Sequence, residues 1–170
     1  MIDVETAIRT RRTHKAFEPE PLPRETLDEL LDLARWAPNH HLTAPWRFRV
    51  LGPEALERLK GAAGPEAAPK LDRCPTLIVA SAVLSGDPEQ DEEDLHATAV
   101  ASYIVLLAAH ARGLAGYWRT PAVLREAAGR EAVGLEEEER FVGLLHLGRA
   151  KQEQRAPERP PAEETTIYLD

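Results

Sequence analysis

A chain of 170 residues with a single cysteine and a formal net charge of −8 is bounded before any motif is read. It is long enough for one domain with its own apolar core and too short for two, and one cysteine excludes an internal disulfide. The acidic balance excludes broad electrostatic attachment to nucleic acid or to an anionic membrane, so any bound anion has to be held locally. The opening MIDVETAIRT lacks the apolar core of a signal peptide, and the apolar stretches are too short or too broken to span a bilayer. Cys74, set in CPTLIVASAVL, reads as a buried thiol. Together these features point to a soluble protein of a reducing, cytoplasmic setting.

In chain order, Asp3 is placed to cap a short helix to about Arg11, with Val4, Ala7 and Ile8 as its inner face. FEPEPLP, residues 17–23, is a proline-rich connector that cannot continue a helix. From Pro23 a second helix carries Leu27, Leu30, Leu31 and Ala34 as one stripe and stops ahead of Pro38. WRFRVL, 46–51, alternates Trp46, Phe48 and Val50 with Arg47 and Arg49 at strand period. A helix over 54–63 leads to TLIVASAVL, 76–84, whose continuous β-branched run reads as a buried strand. The acidic stretches GDPEQDEED (86–94) and LEEEER (135–140) read as solvated loop or helix start.

LHATAVASYIVLLAAHARG, 95–113, is apolar nearly all round and is expected to be the central buried helix, closed by Gly113. In GLAGYWRTPAVLREAAG, 113–129, a short strand precedes a helix capped by Thr120 with Pro121 as its first residue. RFVGLLHLGRA, 140–150, is the last core strand. The remainder, KQEQRAPERPPAEE (151–164), is a charged, proline-rich spacer, yet it ends in the strand-like TTIYLD. Such a tail either frays or docks, adding a strand to its own sheet or to that of a second subunit.

Three constellations carry the chemistry. RTRRTHKAF, 9–17, gathers Arg11, Arg12, Thr13 and Lys15 at the end of the first helix. It is either a cationic helix end that complements the helix dipole or an anion site, in which guanidinium forks and a hydroxyl suit phosphate oxygens. APNHHLTAPWRF, 37–48, presents Asn39 and His40 between two prolines. Adjacent histidines point apart and no HExxH or CxxC pattern supplies further ligands, so a polar binding loop is expected there and no metal. GYWRTP, 116–121, and LHLGR, 145–149, put Arg119 and Arg149 at strand ends and Thr120 at a helix N-terminus that favours anions.

The order of these blocks resembles the nitroreductase family of FMN-dependent oxidoreductases, in particular its compact members. AIRTRRTHKAF is similar to the family's opening RRS-x-(R/K)-x-F, and ARWAPNHHLTAPWRFRVL to its A-P-S-S-x-N-x-Q-P-W-x-F block. CPTLIVASA, GLAGYWRT and VGLLHLGR fall at its later strands. The resemblance implies an α+β fold, a three-layer α-β-α sandwich around a mostly antiparallel sheet. Residues 1–150 would form one domain and residues 151–170 an extension on the partner of a homodimer, with the C-terminal strand open to exchange between subunits.

The implied cofactor is FMN. Hydride would come from NADH or NADPH and pass by a ping-pong mechanism to an oxidised small molecule of nitroaromatic or quinone type. The resemblance assigns Arg11, Arg12 and Thr13 to the phosphate and ribityl chain and Lys15 to the pyrimidine edge, where a cation stabilises the charge that collects on reduction. It assigns Asn39 and His40 to the flavin of the other subunit, Trp118, Arg119 and Thr120 to the ring and ribityl, and Arg149 to the phosphate. It nominates no catalytic acid or base. Leu42 and Ala44 stand where the family usually has Asn and Gln. That departure keeps two alternatives open: a flavin-binding protein without reductase turnover, or a specialised member acting in dehalogenation or flavin breakdown.

Overall fold

The apolar stretches at 76–83 and 139–148 become the middle of a sheet. The protein is described by a computed structural model covering residues 2–169. Strands β1 (Trp46–Val50), β2 (Thr76–Val83), β3 (Ala115–Arg119) and β4 (Glu139–Gly148) form one sheet in the order β1-β2-β4-β3, every pairing antiparallel. Because successive side chains alternate in direction, β4 sends Leu145 and Leu147 to one face and Leu144 and His146 to the other.

On the first face Ile78, Leu145 and Leu147 pack under helices α2 (Arg24–Ala34) and α4 (Pro88–Ala111) through Leu30, Ala34, Ala101, Val105 and Ala109. On the second, Leu77, Val79 and Leu144 pack under α3 (Pro53–Ala63) and α5 (Ala127–Ala132), together with Leu59, Leu124 and Ala132. The sheet therefore lies between two helical layers, as the resemblance implies. By length and composition α4 could cross a membrane, but its Ala97, Thr98, Ala101, Ser102, Val105, Leu106 and Ala109 are buried against the rest of the chain, the pattern of a core helix.

Local expectations are met unevenly. The first helix, α1 (Val4–Thr10), is capped by Asp3, whose carboxylate accepts the Thr6 N–H at 3.0 Å and is held below the usual carboxylate range by that bond. Its inner face, however, is Ala7 alone. Val4 is 71% exposed and Ile8 52%, because two turns meet α4 along a single line of contact. Next, α4 begins in the acidic stretch, where Asp87 caps Glu89 and Gln90 at 3.0 and 3.1 Å and Pro88 opens the first turn. The helix-start reading of residues 88–94 holds, and the helix expected from Leu95 begins seven residues earlier, at Pro88.

A clear correction concerns Thr120, which caps nothing. Pro121 leads into a single 3-10 turn, Ala122–Arg125, that drops Val123 and Leu124 into the core, and α5 starts only at Ala127. Gly129 permits this break, since a Cβ there would lie 1.9 Å from the Val123 carbonyl oxygen. Residues 165–169 add no strand to their own sheet, and Ile167, Tyr168 and Leu169 are exposed. The free edge of β3 is already engaged by the segment after α1 through a bridge of Thr13 with Gly116, and further along the same segment Phe17 bridges Ala150, just past the end of β4.

On the edge strand β1, Trp46 and Phe48 are half-buried as expected, but Val50 at its end is exposed. Arg49, on the supposedly solvent side, forms a bidentate pair with Glu139 at 2.6 and 2.7 Å across β2. Glu139 is held below the usual carboxylate range by Arg49 and by the Ser81 hydroxyl, against the opposing effect of burial.

Candidate functional site

The basic run divides into residues with protein partners and residues without. Arg9 is paired with Glu5 at 2.9 Å on α1. Arg12 donates one nitrogen to the carbonyls of Arg9 and Arg11, both at 2.8 Å, and so covers the open end of that helix. For these two the helix-end reading holds. Arg11 is different. It is half-buried, its Cζ lies 5.8 Å from the centre of the Tyr103 ring, and its Nε is buried with no acceptor. A buried donor left without a partner costs about 1–3 kcal/mol, which makes it a feature to be explained by a ligand.

Beyond Arg11 the chain becomes extended and is pinned to the sheet. His14 N–H donates to the Gly116 carbonyl at 3.1 Å, Glu18 N–H to that of Arg149 at 2.9 Å, and Lys151 N–H to that of Ala16 at 3.2 Å. The last two bonds also tie down the start of the C-terminal tail. As a result Gln154, Arg155, Pro157 and Arg159 come over Arg11, Arg12 and Thr13 and enclose a pocket of ≈ 190 Å³. A neighbouring pocket of ≈ 440 Å³ adds Ile8, Tyr103 and the Glu5-paired Arg9 to Arg11, Arg12 and Arg159. Among the described residues, Arg11, Arg12, Arg155 and Arg159 make no salt bridge. Four guanidinium groups thus surround one opening without a carboxylate.

Sequence reasoning missed Arg155 and Arg159. Only their basic character inside a proline-rich spacer marked them, and nothing local says that the spacer folds back.

Lys15 faces a separate pocket of ≈ 430 Å³, lined also by Phe17, Asp72, Arg73 and Lys151. Beneath it, on β4, His146 is 1% exposed and both ring nitrogens lack partners. Its ring lies 6.5 Å from that of Phe17 and 5.5 Å from that of Tyr117. Burial pushes its pKa down to about 3, with Arg119 and Arg73 adding to the effect.

The 37–44 loop is a built structure of its own. His41, Leu42 and Ala44 all have positive φ, 54, 54 and 45°, a conformation that costs a non-glycine residue about 1 kcal/mol or more. It persists because Asn39 accepts the Ala44 N–H at 2.9 Å and donates to Ala37 at 3.1 Å, while Thr43 donates to the buried Asp94 at 2.6 Å. His40 meets Glu93 at 2.6 Å and stacks on His41 with ring centres 3.8 Å apart. The Asn39 side chain is therefore engaged in stapling its own loop, whereas His40 stands at the surface.

In this chain the loop and the basic run lie far apart. The loop is anchored at Asp94 and the end of α1 at His110, which bonds Thr10 at 2.8 Å. At 1.5 Å per residue these points on α4 are about 24 Å apart. The other nominated residues also disperse. Trp118 donates its indole N–H to the Val142 carbonyl at 3.3 Å and packs on Gly143, where a Cβ would lie 2.1 Å from the indole nitrogen. Arg119 donates to the Lys70 carbonyl at 3.1 Å. Arg149 lies past Gly148, opposite Ala115, so it and Arg119 sit at opposite ends of the β3 ladder, about 17 Å apart along the strand. Thr120 is exposed, with no helix N-terminus behind it.

An α+β domain with an antiparallel sheet between two helical layers, and an uncompensated cationic pocket where the first helix meets the edge strand, defines the class. The chain belongs to the Nitroreductase family, whose model matches residues 8–68 and 62–149, and it is an oxidoreductase of that family. In Escherichia coli (strain K12), "Putative NAD(P)H nitroreductase YdjA" is 30% identical over 161 residues, which cover 85% of this chain and 86% of that protein. The crystal structure of a nitroreductase-like family protein from Bacillus cereus matches with a TM-score of 0.90 at 26% identity, covering 100% of this chain and 97% of that one. The FMN-dependent nitroreductase NfnB from Mycobacterium smegmatis, solved in complex with NADPH, shares the fold at TM-score 0.79 and 18% identity, over 98% of this chain and 97% of that one.

Proposed function

We propose that this protein is an FMN-dependent reductase that draws hydride from NADH or NADPH and passes it, by a ping-pong mechanism, to an oxidised small molecule of nitroaromatic or quinone type. The observation that carries the reading is the set of guanidinium groups of Arg11, Arg12, Arg155 and Arg159 around one pocket, with the buried Arg11 Nε lacking an acceptor. That donor set fits a phosphate monoester: planar forks match its oxygens, and the Thr13 hydroxyl adds a neutral donor. FMN, when bound, supplies the hydride acceptor and donor of the reaction. Arg11, Arg155 and Arg159 would bind its phosphate and Thr13 the adjoining ribityl chain. Arg12, half committed to the end of α1, would contribute charge more than geometry. Lys15, exposed on the sheet-pinned segment, would hold positive charge toward the pyrimidine edge.

The working unit in this reading is a homodimer. Asn39 holds the loop in shape and His40 is its contact group, and the distance of about 24 Å along α4 supports a loop that serves the site of the other subunit. The exposed Ile8 and Tyr103, and the exposed Ile167, Tyr168 and Leu169 of the tail, supply apolar surface for that partner.

Anaerobic absorption spectroscopy of the FMN-loaded protein tests the function. Loss of the oxidised flavin band on adding NADH or NADPH, and its return with a nitroaromatic or a quinone, is expected. A band that neither nicotinamide changes would favour the flavin binder without turnover, and failure to bind FMN at all would remove the reading.

A further inference from the structure

We propose that Glu93 is a positioning residue: it fixes His40 as the Nδ1–H tautomer and so presents Nε2 as a hydrogen-bond acceptor, matched to the N3–H of the isoalloxazine held by the other subunit. The identity of the ligand rests on the FMN reading above; the state of the ring rests on the side chains of this chain.

His40 Nδ1 lies 2.6 Å from Glu93 Oε2. An ionised carboxylate only accepts, so the proton between them belongs to Nδ1. In a neutral imidazole this leaves Nε2 with a lone pair and no hydrogen. Nε2 bonds nothing among the described residues, and the side chain is 57% exposed. The ring is held at one nitrogen and open at the other.

A second contact restrains the ring. Side chains of consecutive residues ordinarily diverge, yet at His41 the backbone is left-handed, with φ 54°, and its ring stacks on that of His40 with centres 3.8 Å apart. One edge of the His40 ring is therefore bonded and one face covered. The backbone beneath is fixed separately, by Thr43 on Asp94 and by Asn39 on the Ala44 N–H. Adjacent carboxylates of α4 thus have different tasks: Asp94 holds the loop and Glu93 holds the ring.

The surroundings leave Glu93 to His40. With the two histidines and Glu93, the cleft of ≈ 310 Å³ is lined by Asp87, Glu89 and Gln90, and no lysine or arginine lines it to compete for the carboxylate. An acceptor at Nε2 needs a donor from the ligand. Oxidised isoalloxazine offers acceptors at N1, O2, O4 and N5 and a single ring N–H, at N3 on the pyrimidine edge. Lys15, with three donors and no acceptor, suits the carbonyl oxygens of that edge but not its N–H. His40 supplies the missing acceptor.

The test follows the ring and the ligand separately. In the full chain at pH 8, with isotope-labelled histidine, NMR is expected to show the His40 proton on Nδ1; a proton on Nε2 overturns the proposal. Glu93→Ala should let the proton move to Nε2 while amides 39–44 keep their protection from hydrogen exchange, because Asp94 still holds the loop. Loss of that protection would make Glu93 a structural prop and overturn its positioning role. FMN and its N3-methyl analogue, which lacks the N–H, are then titrated by fluorescence. Wild type is expected to prefer FMN by about 2- to 12-fold, the span of one hydrogen bond. Glu93→Gln keeps an acceptor for Nδ1–H and should retain the preference, whereas Glu93→Ala and His40→Ala should lose most of it. A preference that survives in His40→Ala overturns the proposed contact. A chain that binds both flavins equally overturns this inference and leaves the FMN reading standing. A chain that binds neither removes the FMN reading and the contact with it, and the Nδ1 signal alone then decides whether Glu93 sets the ring.

Discussion

Thr43 donates its hydroxyl to Asp94 at 2.6 Å and thereby ties a loop of three left-handed residues to a buried carboxylate on α4. Gln90 donates to the same Asp94 oxygen at 3.1 Å, so one side chain joins the loop to the helix. Asp94→Ala is expected to lower stability by about 1–3 kcal/mol, the range for breaking bonds to a buried charged group. The strain at His41, Leu42 and Ala44 would then relax by local opening. Hydrogen exchange checks this: amides 39–44 should lose protection well before those of β2, and unchanged exchange in the loop would remove Asp94 as its anchor.

Arg9 and Arg11 stand two residues apart on α1 and its cap, yet they are expected to behave oppositely. Arg11→Ala should weaken FMN binding by about 1.5–3 kcal/mol, roughly 10- to 150-fold, by removing a charged donor whose Nε has no protein partner. Arg9→Ala removes an exposed pair with Glu5 and should leave the affinity within about twofold. Fluorescence titration of FMN against each variant is the measurement. Equal effects would mean that the phosphate lies elsewhere than the Arg11 pocket.

The helix starts offer a second contrast. Asp87 caps α4 through two amides, whereas Thr120 precedes a 3-10 turn and bonds no helical N–H. Asp87→Ala is expected to cost about 1 kcal/mol and Thr120→Ala less than about 0.5 kcal/mol by urea denaturation. A larger loss at Thr120 would contradict the break at Pro121.

How legible the molecule was in its sequence depended on how local the cause was. β2 could be read because a continuous β-branched apolar run has few other fates, β4 because its apolar run is short and bounded by charged residues, and Asp3 because its cap lies three residues from its partner. The layering of helices on both faces came from the family resemblance and not from periodicity alone. Thr120 misled because an ideal Thr-Pro start was overridden by the burial of Val123 and Leu124 and by Gly129 pressing on the Val123 carbonyl. Arg11 and Thr13 could be nominated from one short run. Arg155, Arg159 and His110 could not, since they reach that run only through the folding back of the tail and the length of α4.

His146 gives the sharpest pH prediction. Its usual value of 6.5 falls to about 3 in the folded chain, so between these limits the unfolded chain binds a proton that the folded one excludes. The neutral ring is compatible with folding above about pH 6.5. As pH falls through the window, stability should decline by up to about 1.4 kcal/mol per unit on account of this residue. His14 and His110, also lowered, act in the same direction. His146→Leu replaces an imidazole with two unpartnered nitrogens by a side chain suited to its neighbours Phe17, Leu77 and Leu144. At neutral pH the variant should be more stable by about 1–3 kcal/mol, because a buried unsatisfied polar group is removed. The gap should widen at pH 4.5. Urea denaturation of both chains at pH 7.5, 6 and 4.5 checks this, and a constant difference across the three would mean that the imidazole is not kept neutral by its burial.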